Sequence, residues 1–263
     1  MTDYDQNREV LSKVPAVTLG FWIIKILATT LGETGGDAVT MTWLGETTDE
    51  ATGFGYLIGT GIFGVLLVLL IALQVRAKRF NAWLYWATIA ASTTAGTALA
   101  DFATRSIGIG YPGGSILLFA LLLASLALWY RSEGSISVDT VNTPKVEIFY
   151  WVTITFSQTL GTALGDWVAD SGPGYDGGAL IFGAALVVIA ALYFWTHVSR
   201  VLLFWAAFIL TRPLGATIGD FLDKPVESGG LEVSRPLATA VLGIVIIGCI
   251  ALFPQRAGKH PAA

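Results

Sequence analysis

One pattern is written four times along this chain: Trp, nine residues, Gly, four residues, Asp. It occurs as Trp22–Gly32–Asp37, Trp86–Gly96–Asp101, Trp151–Gly161–Asp166 and Trp205–Gly215–Asp220. Each copy lies in, or at the end of, a long apolar segment. A carboxylate at membrane depth is costly, so four of them at one register of four apolar helices mark a site rather than a packing accident.

Composition supports that setting. The 263 residues are 54% hydrophobic and only 13% charged, against roughly 25% charged in an average soluble domain. A span needs about 20 apolar residues. Eight segments qualify, at 15–36, 55–75, 82–101, 112–130, 147–167, 177–198, 201–221 and 236–254. The expected fold is an all-α integral membrane protein. A cytoplasmic segment (1–14) precedes one eight-span membrane domain (15–254), and a cytoplasmic tail (255–263) follows it. The first span follows Asp3, Asp5 and Glu9 and contains Lys25, so it reads as a retained span and not a cleaved leader. Cys249 is the single cysteine, which excludes an internal disulfide.

With eight spans both termini share a side. Ten basic residues fall on that side against three, Arg105, Lys224 and Arg235, in the opposite loops. The positive-inside rule then puts both termini in the cytoplasm. Each motif span is followed by a loop and a nearly featureless apolar span. Three of the loops end in similar words: Gly53-Phe54-Gly55-Tyr56, Gly108-Ile109-Gly110-Tyr111 and Gly172-Pro173-Gly174-Tyr175. The repeat is therefore a two-helix unit, with copies at about 15–76, 80–131, 145–199 and 200–254. A two-helix unit keeps its orientation when repeated, which predicts four parallel repeats about an axis along the membrane normal. The motif helices should converge on a central polar cavity and the plain helices should face lipid.

On these four Trp–Gly–Asp motifs the chain resembles a family of uncharacterised bacterial integral membrane proteins built from four copies of a short repeat of unknown function. The resemblance covers about residues 20–254 and implies an eight-span protein of the bacterial inner membrane. It implies no activity.

Residues at i, i+4 stack on one helix face. Read so, the motif helices carry Lys25, Thr29, Glu33, Asp37; then Thr93, Thr97, Asp101; then Gln158, Thr162, Asp166; then Arg212, Ala216, Asp220. Such groups face a bundle interior or a water-filled cavity. Trp22 to Asp37 is fifteen residues, about 22 Å of helix. The Trp residues then read as an aromatic belt at the cytoplasmic interface, and the Asp residues lie in the outer half. Glu33 is a turn deeper than its Asp and occurs in one copy only. Arg212 is expected to pair with Glu33 or with another copy's Asp. Lys25 either pairs in the interior or snorkels to the inner face. Pro213 is expected to kink the seventh helix.

Only His197 and His260 are present, and no zinc motif, serine elbow or phosphate loop occurs. The expectation is a protein that is not an enzyme, with no cofactor and no nucleic-acid partner; its partners are the lipid bilayer and a small ion or solute. Glu33, Asp37, Asp101, Asp166, Asp220, Thr97, Gln158 and Thr162 are the candidate ion-binding residues, the five carboxylates the candidate metal ligands, and Lys25 and Arg212 the counter-charges. Oxygen donors without Cys, His or Met suit hard cations. The leading expectation is proton-coupled export of a manganese-like divalent cation. An anionic or organic solute bound by Arg212 and Lys25, and a non-transporting membrane scaffold, are the alternatives.

Overall fold

The structure is a computed structural model, and residues 11–48 and 51–259 are described here. Eight long helices follow one another: α1 (Leu19–Asp37), α2 (Phe54–Arg76), α3 (Ala82–Asp101), α4 (Gly110–Glu133), α5 (Pro144–Asp170), α6 (Gly174–Trp195), α7 (Arg200–Asp223) and α8 (Arg235–Leu252). Side-chain caps start the motif helices. Thr18, Asn81, Thr143 and Ser199 each accept a hydrogen bond from a backbone N–H in the first turn of α1, α3, α5 and α7. The recurring Gly-x-Gly-Tyr words have a backbone cause. Gly53, Gly110 and Gly174 have φ of 78°, 67° and 71° at the entrances to α2, α4 and α6, a region that residues with a Cβ seldom adopt.

The odd-numbered helices form a closed inner ring in the order α1, α3, α5, α7 and back to α1. The even-numbered helices lie outside, and each packs chiefly on the inner helix of the next repeat: α2 on α3, α4 on α5, α6 on α7, and α8 on α1. The motif glycine explains how the ring closes. A Cβ on Gly32 would overlap Thr93, one on Gly96 would crowd the backbone of Gln158, one on Gly161 would overlap Arg212, and one on Gly215 would overlap Thr29. In every copy the glycine receives the residue three positions before the next copy's glycine. Small residues let helix backbones approach this closely.

Polarity is reversed relative to a water-soluble bundle. Threonines and carboxylates are buried between the inner helices, whereas Val65, Val68, Ile116, Leu180, Val187 and Ile244 on the outer helices are exposed. Among the described residues, five helices (α2, α4, α6, α7 and α8) are long and apolar enough to cross a membrane. The other three, α1, α3 and α5, carry much of the polar stripe, which lowers their hydropathy.

The class is all-helical as expected, with one short addition outside the eight helices: β1 (Leu11–Pro15) pairs antiparallel with β2 (Ala257–Lys259). Ser12 donates to the Val138 carbonyl and Lys13 pairs with Glu147. The start and end of the described chain are thereby tied to the loop before α5 and to α5 itself. One expectation is corrected: the motif tryptophans are not an interfacial belt. Trp86, Trp151 and Trp205 are buried in a closed aromatic circuit with the residue that precedes each motif. Phe21 meets Trp86, Tyr85 meets Trp151, Tyr150 meets Trp205 and Phe204 meets Trp22, with ring centroids 5.4, 5.7, 6.4 and 5.8 Å apart. The Tyr85 and Tyr150 hydroxyls bond each other at 2.6 Å. Aromatic pairs favour such tilted and edge contacts over face-to-face stacking, and here they seal one end of the inner ring.

Candidate functional site

Because the four copies share one register, the inner helices stack their side chains in layers. Three residues after each Trp come Lys25, Ile89, Ile154 and Phe208, all fully buried. One turn on are Thr29, Thr93, Gln158 and Arg212. The next layer is Glu33, Thr97, Thr162 and Ala216, and above it lie Asp37, Asp101, Asp166 and Asp220. Four residues past each Asp come Met41, Arg105, Asp170 and Lys224.

Arg212 reaches from α7 into the middle of the ring. Both its terminal nitrogens donate to Glu33 Oε2 at 2.9 Å. One of them also donates to Thr97 Oγ1 at 2.6 Å and to Thr162 Oγ1. The guanidinium so touches α1, α3 and α5 at once. Neither Arg212 nor Glu33 is exposed to any useful degree (0% and 2%). Breaking such a buried pair leaves an uncompensated charge. The expected Arg212–Glu33 pairing is present, and Thr97 and Thr162 serve it.

The four motif aspartates divide into two pairs, each bridged by a cation. Lys224 Nζ lies 2.6 Å from Asp37 Oδ2 and 3.0 Å from Asp220 Oδ1. Arg105 Nε lies 2.9 Å from Asp101 Oδ1, and its Nη2 3.4 Å from Asp166 Oδ2. Beside the first pair, Arg235 Nε is 3.7 Å from Asp223 Oδ1. Burial disfavours the Lys224 ammonium, but the surrounding Asp220, Asp37 and Asp223 outweigh that and hold its pKa well above the ordinary lysine range. Asp37 Oδ1 is buried and finds no hydrogen-bond partner among the described residues. One oxygen each from Glu33, Asp37 and Asp220 lie within 4.8 Å of one another, close enough to share an ion.

Over this layer opens a polar vestibule of about 560 Å³, lined by Arg105, Tyr111, Asp166, Tyr175 and Lys224 among others. The inner ring is thus open at its Asp end and sealed by aromatic side chains at its Trp end.

Several assignments change. Arg105 and Lys224, counted among loop charges in the sequence, are the two cations of the aspartate layer. The signal was available: both stand four residues after a motif Asp, one helical turn on. A helical turn of π geometry (Phe102–Ser106) prolongs α3 far enough to aim Arg105 back at Asp101. Met41, also taken for a loop residue, lies in the equivalent π turn after α1 (Ala38–Trp43), buried, with its sulfur 3.7 Å from Lys224 Nζ. The site is therefore not free of sulfur. Lys25 neither snorkels nor pairs with a carboxylate. It is fully buried with its ammonium 4.2 Å from the Phe208 ring centre, and has no hydrogen-bond partner among the described residues. Gln158 is fully buried, and neither amide atom finds a partner among those residues. Thr29 and Thr93 donate to carbonyls of the neighbouring inner helix, at Thr211 and Ala28, and so join helices. Helix α7 runs unbroken through Pro213. His197 lies between α6 and α7, and His260 falls outside the described residues.

Compared with known families, four stretches of the chain, residues 20–80, 84–135, 149–199 and 203–254, match one family, described as Repeat of Unknown Function (DUF347). No functionally curated protein and no solved structure matches.

Proposed function

The chain belongs to the Repeat of Unknown Function (DUF347) family, and we propose that it is a membrane carrier exchanging a hard divalent cation, manganese-like, for protons. In this reading all eight helices span the bacterial inner membrane as four parallel two-helix repeats, with both termini cytoplasmic. The apolar outer helices and buried polar inner layers support that placement. The single observation that carries the cargo assignment is the charge balance of the Glu33 and aspartate layers with the cations paired to them. Five carboxylates (Glu33, Asp37, Asp101, Asp166 and Asp220) pair with three cations (Arg212, Lys224 and Arg105), Lys25 lying two layers away against Phe208, which leaves two negative charges in that cluster. One divalent cation neutralises them, and so do two protons. A cluster that is neutral with either load is suited to exchange. The sealed Trp end and open Asp end fit a carrier that exposes its site to one side at a time. The engagement of Arg212 by Glu33 argues against a site for an anionic solute there.

The test is cellular metal content by mass spectrometry in cells making the wild type or D37N/D220N at matched levels. Export predicts a fall in one divalent metal with the wild type only. Unchanged metals with both proteins folded would overturn the carrier reading and favour a scaffold.

A further inference from the structure

The two bridging cations of the aspartate layer are not equivalent. Arg105 is held as a fork between Asp101 and Asp166, and a guanidinium is a rigid, pre-organised planar donor. Lys224 is a compact point charge on a flexible stem. It is the residue that follows the last turn of α7 and lines the vestibule, where Asp170 and Glu232 are further anionic groups. Around its ammonium stand Asp37 Oδ2, Asp220 Oδ1 and the Met41 sulfur, at 2.6, 3.0 and 3.7 Å. That shell is two carboxylates and a thioether about one positive charge. The second oxygen of Asp37 is buried and has no partner among the described residues, so the shell has a ligand atom that the lysine does not use.

We propose that Lys224 is a tethered stand-in for the cargo: the transported metal binds where its ammonium now lies, on Asp37, Asp220 and Met41, after displacing it into the vestibule, and one carboxylate of the cluster takes up a proton so that the dication, Arg212 and Arg105 balance the other four. This rests on the carrier reading and adds the place, the competitor and the basis of selectivity. Magnesium and calcium take oxygen ligands, and magnesium insists on near-ideal octahedral oxygen geometry. A thioether is a soft donor that oxygen-bound magnesium and calcium do not use, and that a transition-metal dication, more tolerant of soft ligands, can accept beside the two carboxylates. Met41 therefore sets the preference for a transition-metal dication, and Lys224 sets how much cargo is needed to fill the site. An apparent affinity is reduced by the fraction of molecules whose site is closed to the ligand.

The experiment is calorimetric titration of the purified full chain in detergent with manganese chloride and then with magnesium chloride, for the wild type, M41L, K224Q and K224R. Met→Leu nearly conserves volume, and K224R keeps the charge that the aspartates need, so both guard against misfolding. K224Q is expected to bind manganese about tenfold more tightly than the wild type, as the competitor is gone. M41L is expected to lose manganese affinity about tenfold with magnesium unchanged. K224R should bind manganese more weakly than the wild type. If the wild type binds manganese but M41L keeps its manganese-to-magnesium ratio, or K224Q binds no more tightly, this placement is overturned and the carrier reading stands. Absence of divalent binding in every protein overturns both.

Discussion

Glu33 occurs in one repeat of four, and its partner Arg212 in another. At the scale of the residue they show how a symmetric scaffold is specialised: the guanidinium fills the middle of the ring only because the other copies offer Thr93 and Gln158 at its level and Thr97 and Thr162 one layer on. Removing Glu33 strands a buried charge. E33L should destabilise the protein by about 3–5 kcal/mol, and E33L/R212M should recover most of that loss, because an apolar replacement of the whole pair leaves no buried charge unpaired. Denaturation midpoints of both variants in mild detergent check this; equal losses in the two would refute it. The pair itself was legible, since both residues lie on the i, i+4 stripe. Arg105 and Lys224 were not, although each stands a turn beyond a motif Asp. The spans read from the sequence end at 101 and 221, whereas a π turn carries α3 on past Arg105 and α7 itself runs to Asp223, beside Lys224.

At the scale of the helix, the motif glycine is a contact and not a hinge. The sequence showed its recurrence at a fixed distance from Trp and Asp, but a repeat does not say which neighbour each copy touches. Only the ring order reveals that Gly161 of α5 backs onto Arg212 of α7. G161A should push the two helices apart and lower stability by about 1–3 kcal/mol, as overpacking does. Alanine at Gly183 of α6, where a Cβ meets nothing within 4 Å, should leave the melting temperature unchanged or raised, since alanine favours helix more than glycine does. A G161A variant as stable as the wild type would mean that the ring is looser than its contacts imply. The tryptophans teach the same lesson. Their spacing was plain, yet an aromatic residue near a helix end fits a lipid headgroup belt and a buried circuit equally well. The residue just before each Trp (Phe21, Tyr85, Tyr150 or Phe204) was the unread half of the pattern.

At the scale of the molecule, the all-helical class, the fourfold repeat and the segregation of polar from apolar helices follow directly from composition and periodicity. What periodicity leaves open is division of the ring. Symmetry of sequence suggests four equal Asp positions, whereas ion pairing makes two unequal halves, one closed by an arginine fork and one by a lysine. The halves arise because copies two and four place a cation a turn after the Asp, while copies one and three place Met41 and Asp170 there. The strand pair that joins the two ends of the described chain carries no periodicity signal, since β1 and β2 are short and distant in sequence.

The packing of each outer helix on the following repeat, with α8 returning to α1, makes the polypeptide a necklace whose clasp is the β1–β2 pair. No link in such a necklace is privileged as the first. If the strands are joined by a short Gly/Ser linker and the chain is opened instead in the 77–81 connection between α2 and α3, every helix keeps both neighbours. Permutation is tolerated where termini lie together and the cut falls in an exposed connection. The permutant should elute at the wild-type volume and melt within a few degrees of the parent; aggregation of this permutant would show that the order in which the beads are strung matters to how the ring closes.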